Sequence, residues 1–403
     1  MNILFVTWDG PQVTYLEGLF LPIFTELKAR GISVRVLQFT WGDPARIERS
    51  RVACEDAGVA FEALQVRRWP KALGALVTAV FGGRHIRKAV RRHSIDAVMP
   101  RSILPGLAVL AGAGKAPCQM IFDSDGLPLD ELVDVVGQSP SSFVHRVLRD
   151  IEAQLVRRAD AVLTRSEKGT QILLARAGAG TSKSKFFVVG NGRDVDVFHP
   201  HDPATRTLTR AQLGIAPDAP LLIYAGSLAV HYCVDEMLQL HQLVLARRPD
   251  AMLLVITQSG DYFQSVFSRY RIPPSSVISR SAEPDEVPQY LACADLGLAL
   301  RTPSFSMQGI APIKLGEYLL CGLPVLATAG IGDAHLLSMD TGMTVDDVSA
   351  AHSDAVADWF INTVIPGRTG FRARCRDLGV ARFSLSACVD SYSRALDSLS
   401  DDR

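Results

Sequence analysis

Short apolar runs rich in β-branched residues recur along the first half of the chain: Ile3 to Thr7, Ser33 to Phe39, Asp96 to Met99, Cys118 to Phe122, Ala161 to Thr164 and Phe186 to Val189. Longer stretches with helical spacing separate them. The series begins again with Leu221 to Ala225, Met252 to Thr257, Val277 to Ser279, Leu296 to Leu300, Pro324 to Thr328 and Met343 to Val345. Alternation of buried strands and amphipathic helices predicts parallel sheets covered on both faces, an α/β fold of two doubly wound domains. The first is expected over residues 1–198 and the second over 199–380. Phe198 to Pro220 carries four prolines and several polar residues around a short helical patch, the composition of a hinge or interdomain connection. Residues 381–403 form a last segment in which Cys388, Tyr392, Ala395 and Leu399 fall on one side of a helix that packs back across the domains.

Ligands of doubly wound sheets bind beyond the carboxyl ends of the strands, and two such domains are expected to face each other across a cleft. The first domain offers Trp8-Asp9-Gly10 after its first strand, and the second offers Gly226-Ser227 after its own. The most structured candidate is APIKLGEYLLCGLPVLAT, Ala311 to Thr328. Pro312 suits a first helical position, Gly322 the residue past the end, and Pro324 prevents continuation, so a helix is predicted over Pro312 to Cys321. Lys314 and Glu317 then share a face, offering positive charge to phosphate and a carboxylate to sugar hydroxyls, or else pairing with each other at the surface. Gly10, Gly226 and Gly309 read as room for backbone to approach a ligand, since no GxGxxG follows a strand. The carboxylates form no Asp-x-Asp pair in a loop and the nine histidines no HExxH, so no metal is expected.

Composition narrows this further. A chain of 403 residues is too long for one typical core, and 42 basic against 42 acidic residues give no reason to expect nucleic acid as the partner. Seven scattered cysteines without a CxxC pair read as buried thiols in a reducing compartment. The sequence enters an apolar strand at once without a basic leader, and no apolar run approaches ~18 residues, so a cytoplasmic location is expected. Between Arg67 and Arg101 stand nine Lys or Arg residues and one acid, Asp96, interspersed with Trp69, Leu73, Leu76, Val77, Val80 and Phe81. That mix suits a helix lying peripherally on the anionic inner face of a membrane, or an ordinary amphipathic helix with a solvated basic face.

Four landmarks carry a family resemblance: NGRDVDVFHP (Asn191 to Pro200), RRADAVLTRSEKG (Arg157 to Gly169), YAGSLAVHYCVDEML (Tyr224 to Leu238) and KLGEYLLCGLPV (Lys314 to Val325). In register over nearly the whole length, they resemble the retaining glycosyltransferases of family 4, of the two-Rossmann-domain GT-B type, within a polysaccharide-biosynthesis subgroup. The resemblance implies that Glu317 holds the ribose of a nucleotide-sugar donor, with Gly226, Ser227, His231, Gly309, Ile310 and Lys314 on the same donor side. Departures accompany it. Position 309 is glycine where the family commonly has a Glu contacting the donor sugar, and the loop after Gly226 lacks the usual Arg and Lys. The first domain's FDSDGLPLDE, Phe122 to Glu131, resembles an Asp-x-Arg-Gly loop with Asp125 in place of the Arg.

Breaking a sugar–phosphate bond leaves a nucleoside diphosphate of growing negative charge, and stabilising it is the main demand on the protein. With no cation in the Gly226 loop, Lys314 and Arg301 are the best placed, ahead of Arg193. Lys314, Arg301 and Asp125 are therefore the candidate catalytic residues. Asp9, Gly10, Tyr15, Glu17, Asp123 and Asp125 are candidates for the acceptor side, although Asp-Gly at 9–10 and 125–126 is also a plain turn signal. His231 is alternatively a solvated loop histidine, and Tyr15 and Glu17 alternatively pack the first helix. The expected activity is transfer of a sugar from a nucleotide-sugar, a substrate rather than a cofactor, to a glycan or lipid-linked acceptor. The alternatives are a non-catalytic nucleotide-sugar-binding partner of another transferase, and a sugar-nucleotide epimerase or phosphorylase-like enzyme on the same fold.

Overall fold

The computed structural model of the chain describes residues 1–67, 71–112 and 118–399, with only the backbone at 71–73. Trp69, and the side chains of Lys71 and Leu73, thus lie outside the described residues. The first sheet contains β1 (Asn2–Asp9), β2 (Ser33–Thr40), β3 (Ala60–Gln65), β4 (Ala97–Pro100), β5 (Gln119–Asp123), β6 (Ala161–Thr164) and β7 (Phe186–Val188). The second contains β8 (Leu221–Ala225), β9 (Met252–Ile256), β10 (Val277–Arg280), β11 (Leu296–Ala299), β12 (Val325–Thr328) and β13 (Gly342–Val345). Their orders are β3-β2-β1-β4-β5-β6-β7 and β10-β9-β8-β11-β12-β13, and every pairing is parallel. Strand order reverses between β1 and β4 and again between β8 and β11, which makes the carboxyl ends of those strands the expected ligand positions.

The chain divides into two compact units. One comprises residues 1–192, 305–310 and 388–403, and the other residues 193–304 and 311–387. In the second unit the strand pleat feeds two cores: Leu222 and Tyr224 of β8 join the apolar cluster on one face of the sheet, and Leu221, Ile223 and Ala225 the cluster on the other. The sequence pattern found twelve of these strands and missed β3. Its residues AFEALQ are mostly good helix formers, and as an edge strand it is only half-buried, so neither propensity nor a continuous apolar run marks it.

The proline-rich stretch 198–220 contains the helix Pro203–Gln212, where the sequence shows a short helical patch, and its Arg210 is fully buried. The Arg210 guanidinium donates to the carbonyls of Cys293, Ala216, Pro217 and Ala219 and pairs with Asp295 at 2.7 Å. Arg206 and Arg368 complete the set around the same carboxylate, at 2.7 and 2.9 Å. Burial alone would push the Asp295 carboxyl up, but three guanidiniums and the Leu221 amide hold it below the ordinary carboxylate value. The last helix is Leu385–Asp397. From Cys388 onward it belongs to the first unit, where the Cys388 thiol donates to the Gly190 carbonyl and Asp390 pairs with Arg30 at 2.7 Å.

Removing the central acid leaves three guanidiniums facing one another without their counter-ion. Asp295→Asn is therefore expected to cost about 3–5 kcal/mol, read as an earlier urea midpoint for the second unit. A midpoint unchanged from wild type would show that the carboxylate does not organise this network.

Candidate functional site

In the second unit the site is built at the ends of β8, β11 and β12. The chain leaves β8 through Gly226, at φ +135°, a conformation that a side chain would strain. The Tyr224 hydroxyl donates to the Ser227 carbonyl at 2.6 Å and holds the turn from beneath. The helix that follows β11, Ile313–Leu320, is pinned to the same strand end because the Ala225 amide donates to the Tyr318 hydroxyl at 3.0 Å. Gly297 on β11 makes that possible: a Cβ there would lie 2.5 Å from the Tyr318 ring. Pro312 caps this helix rather than opening it, a shift of one residue from the sequence pattern.

Lys314 emerges from the first turn onto aromatic faces. Its Nζ lies 4.0 Å from the ring centroid of Tyr224 and 4.8 Å from that of Tyr232. A Cβ placed on Gly226 would come within 3.4 Å of the same ammonium, so Gly226 leaves Lys314 open to whatever sits on the turn. Arg301, just past β11, donates to the Tyr232 hydroxyl at 2.8 Å and stacks on that ring at 4.6 Å. Its backbone is tied to Thr328 at the end of β12. Burial lowers the Lys314 ammonium to about 7, with repulsion from Arg301 adding to the effect and Glu317 opposing it. His231 stacks on Tyr232 at 4.3 Å and is likewise kept below the ordinary histidine value by burial, then by Arg301 and Lys314. Gly226 and Ser227 are exposed.

Lys314 and Glu317 do not pair with each other, which removes the reading of them as a surface ion pair. The Glu317 carboxylate instead accepts from Arg193 Nε at 2.8 Å. Arg193 is itself fixed by backbone hydrogen bonds, its amide to the Phe383 carbonyl and its carbonyl from the Leu385 amide. Arg193, Glu317, Lys314, Arg301, His231 and Gly226 thus gather in one unit. Arg193 serves there by orienting a carboxylate.

The first unit has its own polar cluster at the ends of β1, β4 and β5. Asp9 is buried and accepts from Thr7 Oγ1 at 2.8 Å and Gln38 Nε2 at 3.0 Å. Asp123 is buried beneath Arg165, at 2.7 Å, and accepts from the Asp125 amide. Asp125 sits at φ +53°, uncommon for a non-glycine residue, and pairs with Arg101 at 2.6 Å. Its carboxyl is pushed up to about 6, first by burial and then by Asp123 and Asp9, against the pull of Arg101 and Arg165. Arg101 also lies over the rings of Tyr15 and Phe20, at 5.1 and 5.2 Å, and its buried Nε has no hydrogen-bond partner. Sequence reasoning did not single out Arg101, although its position directly after β4 at the switch point was available as a signal. Gly10 is packed under Trp41, where a Cβ would lie 2.8 Å from the ring. Glu17 is spent elsewhere: it binds Arg46 at 2.7 Å and Ser50 at 2.7 Å, bonds that outweigh its burial and hold its carboxyl below the usual range.

Gly309 and Ile310 group with this first unit rather than with Lys314. Gly309 packs against Leu127 and Gly169, and the Ser166 hydroxyl donates to the neighbouring Gln308 carbonyl. A Cβ on Gly309 would lie 2.5 Å from Leu127 Cγ and 3.2 Å from its amide nitrogen. Here the glycine is a packing requirement, and a glutamate could not stand in its place without moving Leu127.

Residues 20–192 match the family described as the glycosyl transferase 4-like domain. A GDP-mannose-dependent monoacylated alpha-(1-6)-phosphatidylinositol monomannoside mannosyltransferase of Corynebacterium glutamicum is 26% identical over 292 residues, 70% of this chain and 71% of that protein. A D-inositol 3-phosphate glycosyltransferase of Nocardia farcinica is 26% identical over 278 residues, 62% of this chain but only 56% of that relative. Among solved structures, Anabaena Alr3699/HepE in complex with UDP superposes with a TM-score of 0.71 at 16% identity, covering 99% of this chain and 100% of that one. A glycosyltransferase from Rickettsia africae gives 0.74 at 13% identity, with both chains fully covered. The fold is therefore that of the GT-B enzymes, two Rossmann-like units each with a parallel sheet. The chain is a glycosyltransferase whose first unit carries a glycosyl transferase 4-like domain.

Because Gly309 is fixed by contact, Gly309→Ala is expected to destabilise the first unit by about 1–3 kcal/mol, and Leu127→Ala in the same chain to relieve part of that loss. Thermal or urea unfolding of the two variants checks this. Strict additivity of the two losses would contradict the packing account.

Proposed function

We propose that this glycosyltransferase moves a sugar from a nucleoside-diphosphate sugar to a glycan or lipid-linked acceptor, with retention of configuration, in surface-polysaccharide or related glycolipid synthesis. The observation that carries the reading is the pair of cations, Lys314 and Arg301, at the exposed Gly226 turn. A cation ~4 Å from a phosphate contributes about 4 kcal/mol at an effective dielectric near 20, against roughly 0.3–1 kcal/mol from a helix terminus. The two side chains would therefore hold the diphosphate and stabilise the charge it gains as the bond to the anomeric carbon breaks. They would stand in for the cations that the Gly226 loop lacks, with no metal ion required. Glu317, oriented by Arg193, would accept from the ribose hydroxyls.

Retention follows if the acceptor oxygen bonds to the anomeric carbon on the face the phosphate leaves, its proton passing to the departing phosphate oxygen. Asp125, with a carboxyl pushed up to about 6 and an arginine partner, suits a group that positions an acceptor hydroxyl. The helix Lys71–Arg92 contains no acid, and its exposed stripe runs from Val77, Val80 and Phe81 to Arg84, Lys88, Arg91 and Arg92. That gradient supports peripheral attachment to an anionic membrane face. No described helix is long and apolar enough to cross one.

The test is thermal stabilisation by UDP, GDP, ADP and TDP, and by their common sugars, in EDTA. One nucleotide is expected to raise the unfolding temperature of wild type. Its affinity should fall at least about tenfold in Glu317→Ala and in Lys314→Met. Stabilisation by none of them, or undiminished in both variants, contradicts the reading. Tight binding without turnover of any donor would favour the non-catalytic alternative.

A further inference from the structure

Tyr232 receives both cations of the second unit's strand-end site. Arg301 Nη2 donates to its hydroxyl at 2.8 Å, and the same guanidinium lies 4.6 Å from the ring centroid. Lys314 Nζ lies 4.8 Å from that centroid. The ring also meets Tyr224 edge-on at 6.3 Å and 68°, and Tyr224 is the residue that offers Lys314 its nearer face. One side chain therefore touches two positive groups that otherwise repel each other.

The local backbone holds the ring in that place. Tyr232 closes the short 3-10 turn Val230–Tyr232, its amide returning to the Ala229 carbonyl at 3.0 Å. The next residue, Cys233, is buried at φ +57°, a left-handed conformation that is costly for a residue with a side chain and persists only where its surroundings demand it. From there the chain enters the helix Val234–Arg247 directly. The turn is also stitched to the segment that carries Arg301. The Thr302 amide donates to the His231 carbonyl at 3.1 Å, and Cys233 Sγ lies 3.6 Å from Thr302 Oγ1. Tyr232 and Arg301 thus share one backbone framework, whereas Lys314 reaches them from the separate helix Ile313–Leu320.

We propose that Tyr232 is a positioning residue for the diphosphate: it holds Arg301 through its hydroxyl and Lys314 through its ring, and so sets the preference for a nucleoside diphosphate over a monophosphate. The inference rests on the donor reading above and assigns that preference to a residue that acts through the two cations. A guanidinium already bonded to a phenol oxygen has less freedom to lose when the ligand arrives. A ring face keeps an ammonium in place without neutralising it, as a carboxylate would. A monophosphate shares the base, the ribose and one phosphate, so its binding leans less on the paired cations.

The probes are UDP, GDP, ADP and TDP with the four matching monophosphates, titrated by calorimetry into wild type, Tyr232→Leu and Tyr232→Phe. Wild type is expected to prefer one diphosphate over its monophosphate. Tyr232→Leu removes a charge-assisted hydrogen bond together with the ring contacts, and should reduce that ratio of affinities at least about tenfold. Tyr232→Phe keeps the ring and should lose only the part carried by Arg301, so adding it to Arg301→Met should bring no further loss. Glu317→Ala, by contrast, should weaken diphosphate and monophosphate alike and leave the ratio standing. A tyrosine that merely packs the turn would lower both affinities in proportion when replaced. An unchanged ratio in Tyr232→Leu, or full additivity of Tyr232→Phe with Arg301→Met, therefore overturns the proposal. Retained monophosphate binding shows that the variants are folded. A diphosphate bound equally well by wild type and by both Tyr232 variants removes this assignment alone, and a wild type that binds none of these nucleotides removes the donor reading and the assignment with it.

Discussion

An ammonium group held against aromatic faces, beside a second cation and unpaired with Glu317, is the constraint on which the second unit's strand-end architecture turns. Tyr224 supplies the face and at the same time fixes the Gly226 turn through Ser227. Tyr318 binds the lysine's helix to β8, and Gly297 is absent of side chain so that Tyr318 can reach. Thr328 fixes Arg301. The arrangement is costly without a ligand. A lysine lowered to about 7 binds fewer protons in the folded than in the unfolded chain between that value and the ordinary lysine pKa. Its burial therefore subtracts stability at neutral pH, and the penalty fades as pH rises through that window. An anion on the Gly226 turn would convert the same penalty into affinity.

The first unit treats charge in the opposite way. Each of its strand-end carboxylates is already matched: Asp123 with Arg165, Asp125 with Arg101, Asp9 with Thr7 and Gln38. Among the described residues of this cluster, the buried donors Arg101 Nε and Arg165 Nη1 have no hydrogen-bond partner, the first next to an aspartate held in a left-handed conformation. One unit thus brings two cations to a strand-end turn, and the other pairs its strand-end carboxylates with arginines.

Strand periodicity exposed twelve strands because parallel strands buried on both faces read as continuous apolar runs, and Ala161–Thr164 and Leu221–Ala225 are bounded as the pattern indicates. The edge strand Ala60–Gln65 escaped because its burial is partial. Lys314 and Glu317 were legible through helix punctuation by Pro312 and Gly322. Their partners were not, since Tyr224, Tyr232 and Arg193 come from segments distant in sequence and joined only by the sheet order. Gly309 shows the converse limit: a missing glutamate was visible, but its reason, contact with Leu127, needs the fold. Glu17 is a candidate by its place on the first helix, whereas the guanidinium of Arg46 claims it.

The central claim is that a nucleoside diphosphate is held at the Gly226 turn by Lys314, an ammonium that burial lowers to about 7 when the turn is empty. Calorimetry at pH 8 in buffers of different ionisation enthalpy counts the protons taken up on binding, at a pH where the diphosphate itself is already ionised. Uptake approaching one proton per site, lost in Lys314→Met, is the result this account predicts. Binding with no proton uptake, or with uptake that survives the substitution, would contradict it.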